Sequence, residues 1–260
     1  MTRESIVEGI FYPADKEKLE NEIKTLLEAS ETRAAAASGI LVPHAGYRYT
    51  GRTAAAAFKA CSGFRPACTV IMAPVTRDAS DGIFLSGYTE FETPLGSIRV
   101  NEEASSGLLA CKGRFAKDDH IFTEEHSIEV QLPFIQYLFP ETEILPIHLG
   151  RQNAGTVRQL IKGLSALFGN RNDILYIVSG NLSSYLPFNA AEEQAESFIK
   201  TTSENSHEEM LLRLQEKHIL PSCTGCVTAA MAMCGSRISI LDMGNSGEEK
   251  TVFYASAVIG

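Results

Sequence analysis

The sequence predicts an α/β fold: a single-domain sandwich with a central, largely parallel sheet flanked by helices. Strand-like and helix-like segments alternate along the whole chain, the pattern of βαβ units. One stretch shows such a unit in full. The apolar run Gly39-Ile40-Leu41-Val42 is stopped by Pro43, the turn His44-Ala45-Gly46 follows, and the alanine-rich residues 52–60 read as a helix. No internal repeat, low-complexity tract or linker interrupts the pattern, so residues 1–260 read as one domain.

In order, Phe11-Tyr12-Pro13-Ala14-Asp15 leads into a helix over 16–29, with Leu19, Ile23, Leu26 and Leu27 at helical spacing and Asp15 as its N-cap. A loop over 31–38 precedes the strand at 39–42. Residues 67–73 form a second buried strand, which places Pro74-Val75-Thr76-Arg77-Asp78 at the same strand-end face as His44. In α/β folds that face is where sites are built. Apolar pieces at 82–86 and 91–100, broken by Gly87, Pro94 and Gly96, read as strands or hairpin arms, and 101–111 as a helix. Thr123 is the expected N-cap of a helix over 124–138, with Glu124 and Glu125 in a first turn whose dipole suits carboxylates. Ile128, Leu132, Ile135 and Phe139 form its apolar stripe, and Pro133 imposes a kink or a break into two short helices. A strand at 143–149, a helix at 154–168 and a strand at 173–179 follow, the last running into the turn Gly180-Asn181-Leu182-Ser183-Ser184-Tyr185. Residues 190–217 read as mostly helical and 226–234 as a short helix. Strands at 237–241 and 251–259 close the chain around a turn at 244–247.

The formal net charge of −9 argues against a nucleic-acid partner, because phosphate binding needs a clustered basic surface and Arg48, Arg52 and Lys59 are dispersed. No uncharged apolar run approaches the length of a membrane span. Met1-Thr2-Arg3-Glu4-Ser5 lacks the apolar core of a signal peptide. Six cysteines in 260 residues do not form the pattern of a secreted disulfide scaffold. The expectation is a cytoplasmic protein with reduced thiols, bound neither to nucleic acid nor to a membrane.

Three motifs carry a family resemblance. Pro43-His44-Ala45-Gly46-Tyr47, Glu125-His126-Ser127-Ile128-Glu129 followed by Gln131-Leu132-Pro133-Phe134, and the opening Phe11-Tyr12-Pro13-Ala14 resemble the Memo family, whose bacterial and archaeal members are called AmmeMemoRadiSam system protein B. The resemblance runs in order over essentially the whole chain. It implies the fold of class III extradiol dioxygenases, where two histidines and a carboxylate hold a non-haem iron and another histidine serves as acid/base. Memo proteins look similar, with a cysteine in the carboxylate ligand's place. Carried over residue by residue, His44 matches the first ligand histidine. The family's Gly-Pro-Ser-His turn is here Ala73-Pro74-Val75-Thr76, so Thr76 stands at a ligand position. Its Ser-Ser-Asp-x-x-His turn is here 179–184, with Asn181 for the aspartate and Ser184 for the histidine. The cysteine falls on Cys223 in Cys223-Thr224-Gly225-Cys226-Val227, with Cys226 the next choice and Cys234 too close to the final strands.

The chemistry this set allows is reduced. An iron, zinc or copper site needs three or more protein ligands in a fixed geometry. His44 and Cys223 supply two, and a neutral threonine hydroxyl binds divalent metals weakly. His126 contributes only where its ring faces the pocket; a histidine there often just bonds a backbone carbonyl. Without its acid/base histidine, ring cleavage also lacks a proton relay, since Ser184 does not titrate near neutral pH. The expectation is therefore a Memo-family protein with a degenerate metal site, whose pocket of His44, Thr76, Glu125, His126, Asn181, Ser184 and Cys223 binds a small ligand, a metal or a peptide. Two alternatives compete. One is a rebuilt metal- or thiol-dependent enzyme using His44 with Cys223, or the redox pair Cys223 and Cys226, since a helix N-terminus lowers a thiol pKa. The other is a protein-interaction scaffold or homodimer. Cys61, Cys68 and Cys111 read as ordinary thiols, and His120, His148, His207 and His218 as structural or solvated. The Glu192-Glu193 and Glu208-Glu209 pairs read as solvated helix faces.

Overall fold

The computed structural model describes residues 1–76, 81–216, 221, 223–247 and 249–260. In chain order its first half runs β1 (Thr2–Arg3), α1 (Lys16–Ala29), β2 (Gly39–Val42), α2 (Tyr47–Cys61), β3 (Cys68–Pro74), β4 (Ile83–Leu85), β5 (Glu90–Thr93), β6 (Gly96–Arg99), α3 (Glu102–Ala110), β7 (Phe115–Lys117) and α4 (Asp119–Glu124). A 3-10 turn (Glu129–Gln131) then leads into α5 (Leu132–Leu138), β8 (Glu143–Leu149), α6 (Ala154–Phe168) and β9 (Ile174–Ser179). The chain closes with β10 (Leu186–Pro187), α7 (Phe188–Glu204), α8 (His207–Gln215), α9 (Thr224–Cys234), β11 (Ile238–Asn245), β12 (Lys250–Thr251) and β13 (Phe253–Ile259).

Eight strands make one sheet in the order β11-β13-β2-β9-β3-β8-β4-β7. Its centre, β2-β9-β3-β8, is parallel, while β13 and β4 flank it antiparallel and β11 pairs antiparallel with β13. The α/β sandwich is thus as expected, with a parallel centre bounded by antiparallel pairs on both sides and one further parallel pair, β4-β7, at an edge. The four central strands are nearly continuous apolar runs because both faces are covered. Their side chains still alternate. Ile40, Val42, Ile71, Ala73, Leu175 and Ile177 pack with buried residues of α1, α2 and α5. Leu41, Val70, Met72, Leu145, Ile147 and Val178 pack on the other face with α6, α7, α8 and α9. Helix starts follow their caps: Asp15, Asn101 and Asn153 each accept from a backbone N–H of the first turn. Glu209 is more than a solvated carboxylate, since with Ser206 it closes a capping box at the start of α8.

The segment after residue 118 departs from the expected single helix. Asp118, not Thr123, caps a helix that ends at Glu124, and Glu125 is already extended at φ −96°, ψ 127°. Thr123 lies inside α4, its hydroxyl donating to the His120 carbonyl. Pro133 has no N–H to give to a preceding turn and stands at the start of the separate helix α5. At the C-terminus the expected turn at 244–247 begins later, because β11 pairs with β13 as far as Asn245. Gly244 allows that pairing: a Cβ there would lie 2.8 Å from the Tyr254 ring.

His148 sits on the α1/α2/α5 side of β8, fully buried, with its ring edge-on to Phe122 at 4.9 Å. The backbone at Pro74 and Ala73 weakly favours its protonated form, yet neither ring nitrogen completes a hydrogen bond among the described residues. Burial therefore dominates and pushes its pKa down to about 3. In the unfolded chain a histidine takes up its proton near pH 6.5. Between that pH and about 3 the unfolded state holds the extra proton, so acid erodes stability by on the order of 1 kcal/mol per pH unit. Denaturant unfolding of His148→Leu from pH 7 to 4.5 is expected to show a shallower loss of stability than the wild type; equal slopes would refute this account.

Candidate functional site

The expected strand-turn-helix around residue 44 is present, with α2 beginning at Tyr47 directly after the Gly46 cap. His44 stands at the carboxyl end of β2 and is 8% exposed. Its Nδ1 lies 3.4 Å from the Ser179 hydroxyl, at the carboxyl end of the adjacent parallel strand β9. The proton count of that hydroxyl decides the histidine's tautomer. Ser179 Oγ gives its one hydrogen to the Ser127 carbonyl at 2.6 Å and accepts from Gln131 Nε2 at 2.9 Å. Toward His44 it can then only accept, so Nδ1 carries the ring proton and Nε2 keeps a bare lone pair. Burial, then the neighbouring His126 ring, pushes the His44 pKa down to about 4, and Ser179 opposes this. The two imidazoles are 6.0 Å apart and nearly perpendicular. At neutral pH His44 is therefore an uncharged acceptor. Gln131 also donates to the Pro43 carbonyl at 2.9 Å and so ties both strand ends together. Half-buried His126 rests edge-on against Phe11 at 4.7 Å.

The carboxylates on either side of His126 are occupied. Glu125 is buried, and Thr76 approaches it with its N–H at 2.7 Å and its hydroxyl 2.8 and 2.9 Å from the two carboxylate oxygens. Fully buried Glu129 pairs with Arg3 and accepts from the Ile6 and Val7 N–H groups at 3.0 Å and the Tyr12 hydroxyl at 2.7 Å. Arg3, Tyr12, Ser179 and Gln131 were not singled out from sequence. A signal existed for three of them, since Tyr12 and Gln131 lie in the quoted motifs and Ser179 opens the turn at 179–184.

The third turn lies beside the first, with the Gly180 N–H bonded to the Val42 carbonyl at 2.9 Å. Cys223 is fully buried against Gly180, and its thiol donates to the Asn181 carbonyl at 3.2 Å. The Asn181 side-chain oxygen is buried without a hydrogen-bond partner among the described residues. Ser184 is exposed, its N–H bonded to Gln194 Oε1 at 2.8 Å. Cys234 is remote from this face. It sits at the far end of α9, against Gly39 where β2 begins. Burial pushes the Cys223 thiol up to about 12 and Cys226 well above the ordinary thiol range. The N-terminus of α9 does not reverse this, because the Gly225 and Cys226 N–H groups are bonded to Gln152 Oε1 at 2.6 and 3.2 Å. All six cysteines are free thiols. His120 lies beside Glu124 at the surface and His207 bonds Ser236. Arg77, Asp78 and His218 lie outside the described residues.

These donors do not fit a non-haem iron, zinc or copper centre. Among the described residues no three histidine, cysteine or acidic side chains are grouped so as to hold a metal ion. Thr76 and Glu125 are bonded to each other, and Cys223 is a neutral thiol that donates rather than a thiolate. Among the described residues no helix is long and apolar enough to cross a membrane.

A family model described as Memo-like protein matches residues 3–258. A MEMO1 family protein of Caldivirga maquilingensis is 31% identical over 278 aligned positions, covering 98% of each chain. MEMO1 family proteins of Methanosarcina barkeri and Thermotoga petrophila are 32% and 30% identical, covering 99% and 100% of each chain. An uncharacterized Escherichia coli K12 protein of solved structure is similar at a TM-score of 0.48 and 14% identity, over 85% of this chain and 99% of its own. On the length and identity of the sequence matches, the chain belongs to the Memo family.

Proposed function

We propose that this Memo-family protein has kept the scaffold and given up metal-dependent ring cleavage, and that its strand-end turns bind a small polar ligand or a peptide in the cytoplasm. One observation carries the reading. His44 is a neutral imidazole whose Nδ1–H is taken by Ser179, so its remaining chemistry is to accept a hydrogen bond at Nε2 from an N–H or O–H group of a ligand. Six free thiols accord with a reducing compartment. The competing enzyme, with His44 as base and Cys223 as nucleophile, requires proton transfer from a thiol near 12 to an imidazole near 4, steeply uphill.

The test is the metal content of protein purified without added metal or chelator, followed by anaerobic iron, zinc and copper titrations. The expected result is no stoichiometric metal, with His44→Ala and Cys223→Ala indistinguishable from wild type in these titrations. One metal per chain that disappears in both variants would overturn the proposal and favour a rebuilt site.

A further inference from the structure

Arg158, Gln159, Lys162 and Gly163 lie on one face of α6, opposite the loop between α3 and β7, across a cleft of about 460 Å³. Lys112 stands on the loop side and Phe115 forms part of the floor. Three cations thus surround a cleft that no acidic residue lines among the described residues, in a chain of net charge −9. Arg158 and Lys162 are four residues apart on one helix, a spacing at which like charges destabilise it.

The loop adds a third positive charge rather than relieving the first two. Gln159 holds it at two points, accepting from the Arg114 N–H at 2.9 Å and donating to the Lys112 carbonyl at 2.7 Å. Gly113, at φ +135°, makes this approach possible, since a Cβ there would overlap the Gln159 amide. On the other side Arg158 donates to the Gln215 amide oxygen at 3.3 Å. Amides therefore steady the arrangement, and among the described residues none of the three cations is paired with a carboxylate. The floor is apolar: the Phe115 ring packs where Gly163 has no side chain, and a Cβ there would lie 2.8 Å from its edge.

We propose that this cleft, separate from the strand-end turns, binds a small organic phosphate. Its dianionic head would lie among Lys112, Arg158 and Lys162 and its apolar body over Phe115 and Gly163. An arginine fork matches a pair of phosphate oxygens and the lysines add point charges. The cleft volume lies within the range of small-molecule sites.

Calorimetric titration of the full chain with phenyl phosphate and with inorganic phosphate at low salt tests the assignment. Phenyl phosphate is expected to bind saturably and more tightly than inorganic phosphate. The double variant Arg158→Gln/Lys162→Gln is expected to weaken it roughly tenfold or more. All the substituted side chains are exposed, and thermal melts check that the variants fold. Lys112→Gln, on the loop rather than the helix, gives a second reading and is expected to weaken binding several-fold. Absence of saturable binding, or binding unchanged in both variants, would overturn the proposal. So would binding to phosphatidic-acid vesicles with none to phenyl phosphate, which would assign the charges to a membrane surface.

Discussion

Replacing Glu129 by Gln is expected to lower stability by about 3–5 kcal/mol, the range for breaking a buried ion pair by removing one charge. The carboxylate is fully buried, and the Arg3 guanidinium that pairs with it is 2% exposed. Arg3 is also held by the Phe122 carbonyl at 2.8 Å and the Glu125 carbonyl at 3.2 Å, so it cannot swing out to water without releasing the loop before the 3-10 turn. A glutamine of the same shape turns one acceptor into an N–H₂ group. That group would face donors already present: the Arg3 guanidinium, the Ile6 and Val7 amides or the Tyr12 hydroxyl. The melting temperature should fall by on the order of 10 °C for a chain of this size. Urea unfolding monitored by circular dichroism measures the change, and a loss below about 1 kcal/mol would mean that Arg3 finds other partners. The two family motifs that meet here, Phe11-Tyr12-Pro13-Ala14 and Glu125-His126-Ser127-Ile128-Glu129, thus have a structural reason to occur together. One supplies the buried carboxylate and the other a donor to it.

The second large effect concerns the turn that presents Asn181. Gly180→Ala is expected to destabilise by about 2–3 kcal/mol, the cost of overpacking a well-packed site. A Cβ at that position would overlap the Cys223 Cβ and lie 2.9 Å from its sulfur. Cys223 cannot yield easily. Its side chain is fully buried, its thiol is bonded to Asn181, and the Gly225 and Cys226 amides in the first turn of α9 are bonded to Gln152. Cys223→Gly removes the obstructing atoms, at its own cost in packing. The double variant should then be more stable than the sum of the single changes by at least about 1 kcal/mol, as contacting residues show in such cycles. Additive effects would mean that Cys223 does not lie against this turn. The result bears on function as well, because it tests which cysteine stands by the strand ends without relying on any activity.

What the sequence by itself determined is local. Short apolar runs located the central strands, Asp15 marked the start of the first helix, and Pro133 marked a break. These are legible because each depends on residues within a turn or a strand of one another. The position of His44 at a strand end was legible for the same reason. The segment over 118–131 was misread because Glu124 and Glu125 suit a helix N-terminus, whereas here they stand at the end of a short helix capped by Asp118 and Glu125 is held there by its contact with distant Thr76. Only the tertiary structure decided what the site residues do. Glu125 meets Thr76 across 49 positions, Glu129 meets Arg3 across 126, and Ser179 meets His44 across 135. Burial likewise set the neutral forms of His44 and Cys223, whose side chains would titrate near their ordinary values in water. Protonation and partner choice depend on which distant segments exclude solvent around a group, and that is a property of packing rather than of neighbouring letters.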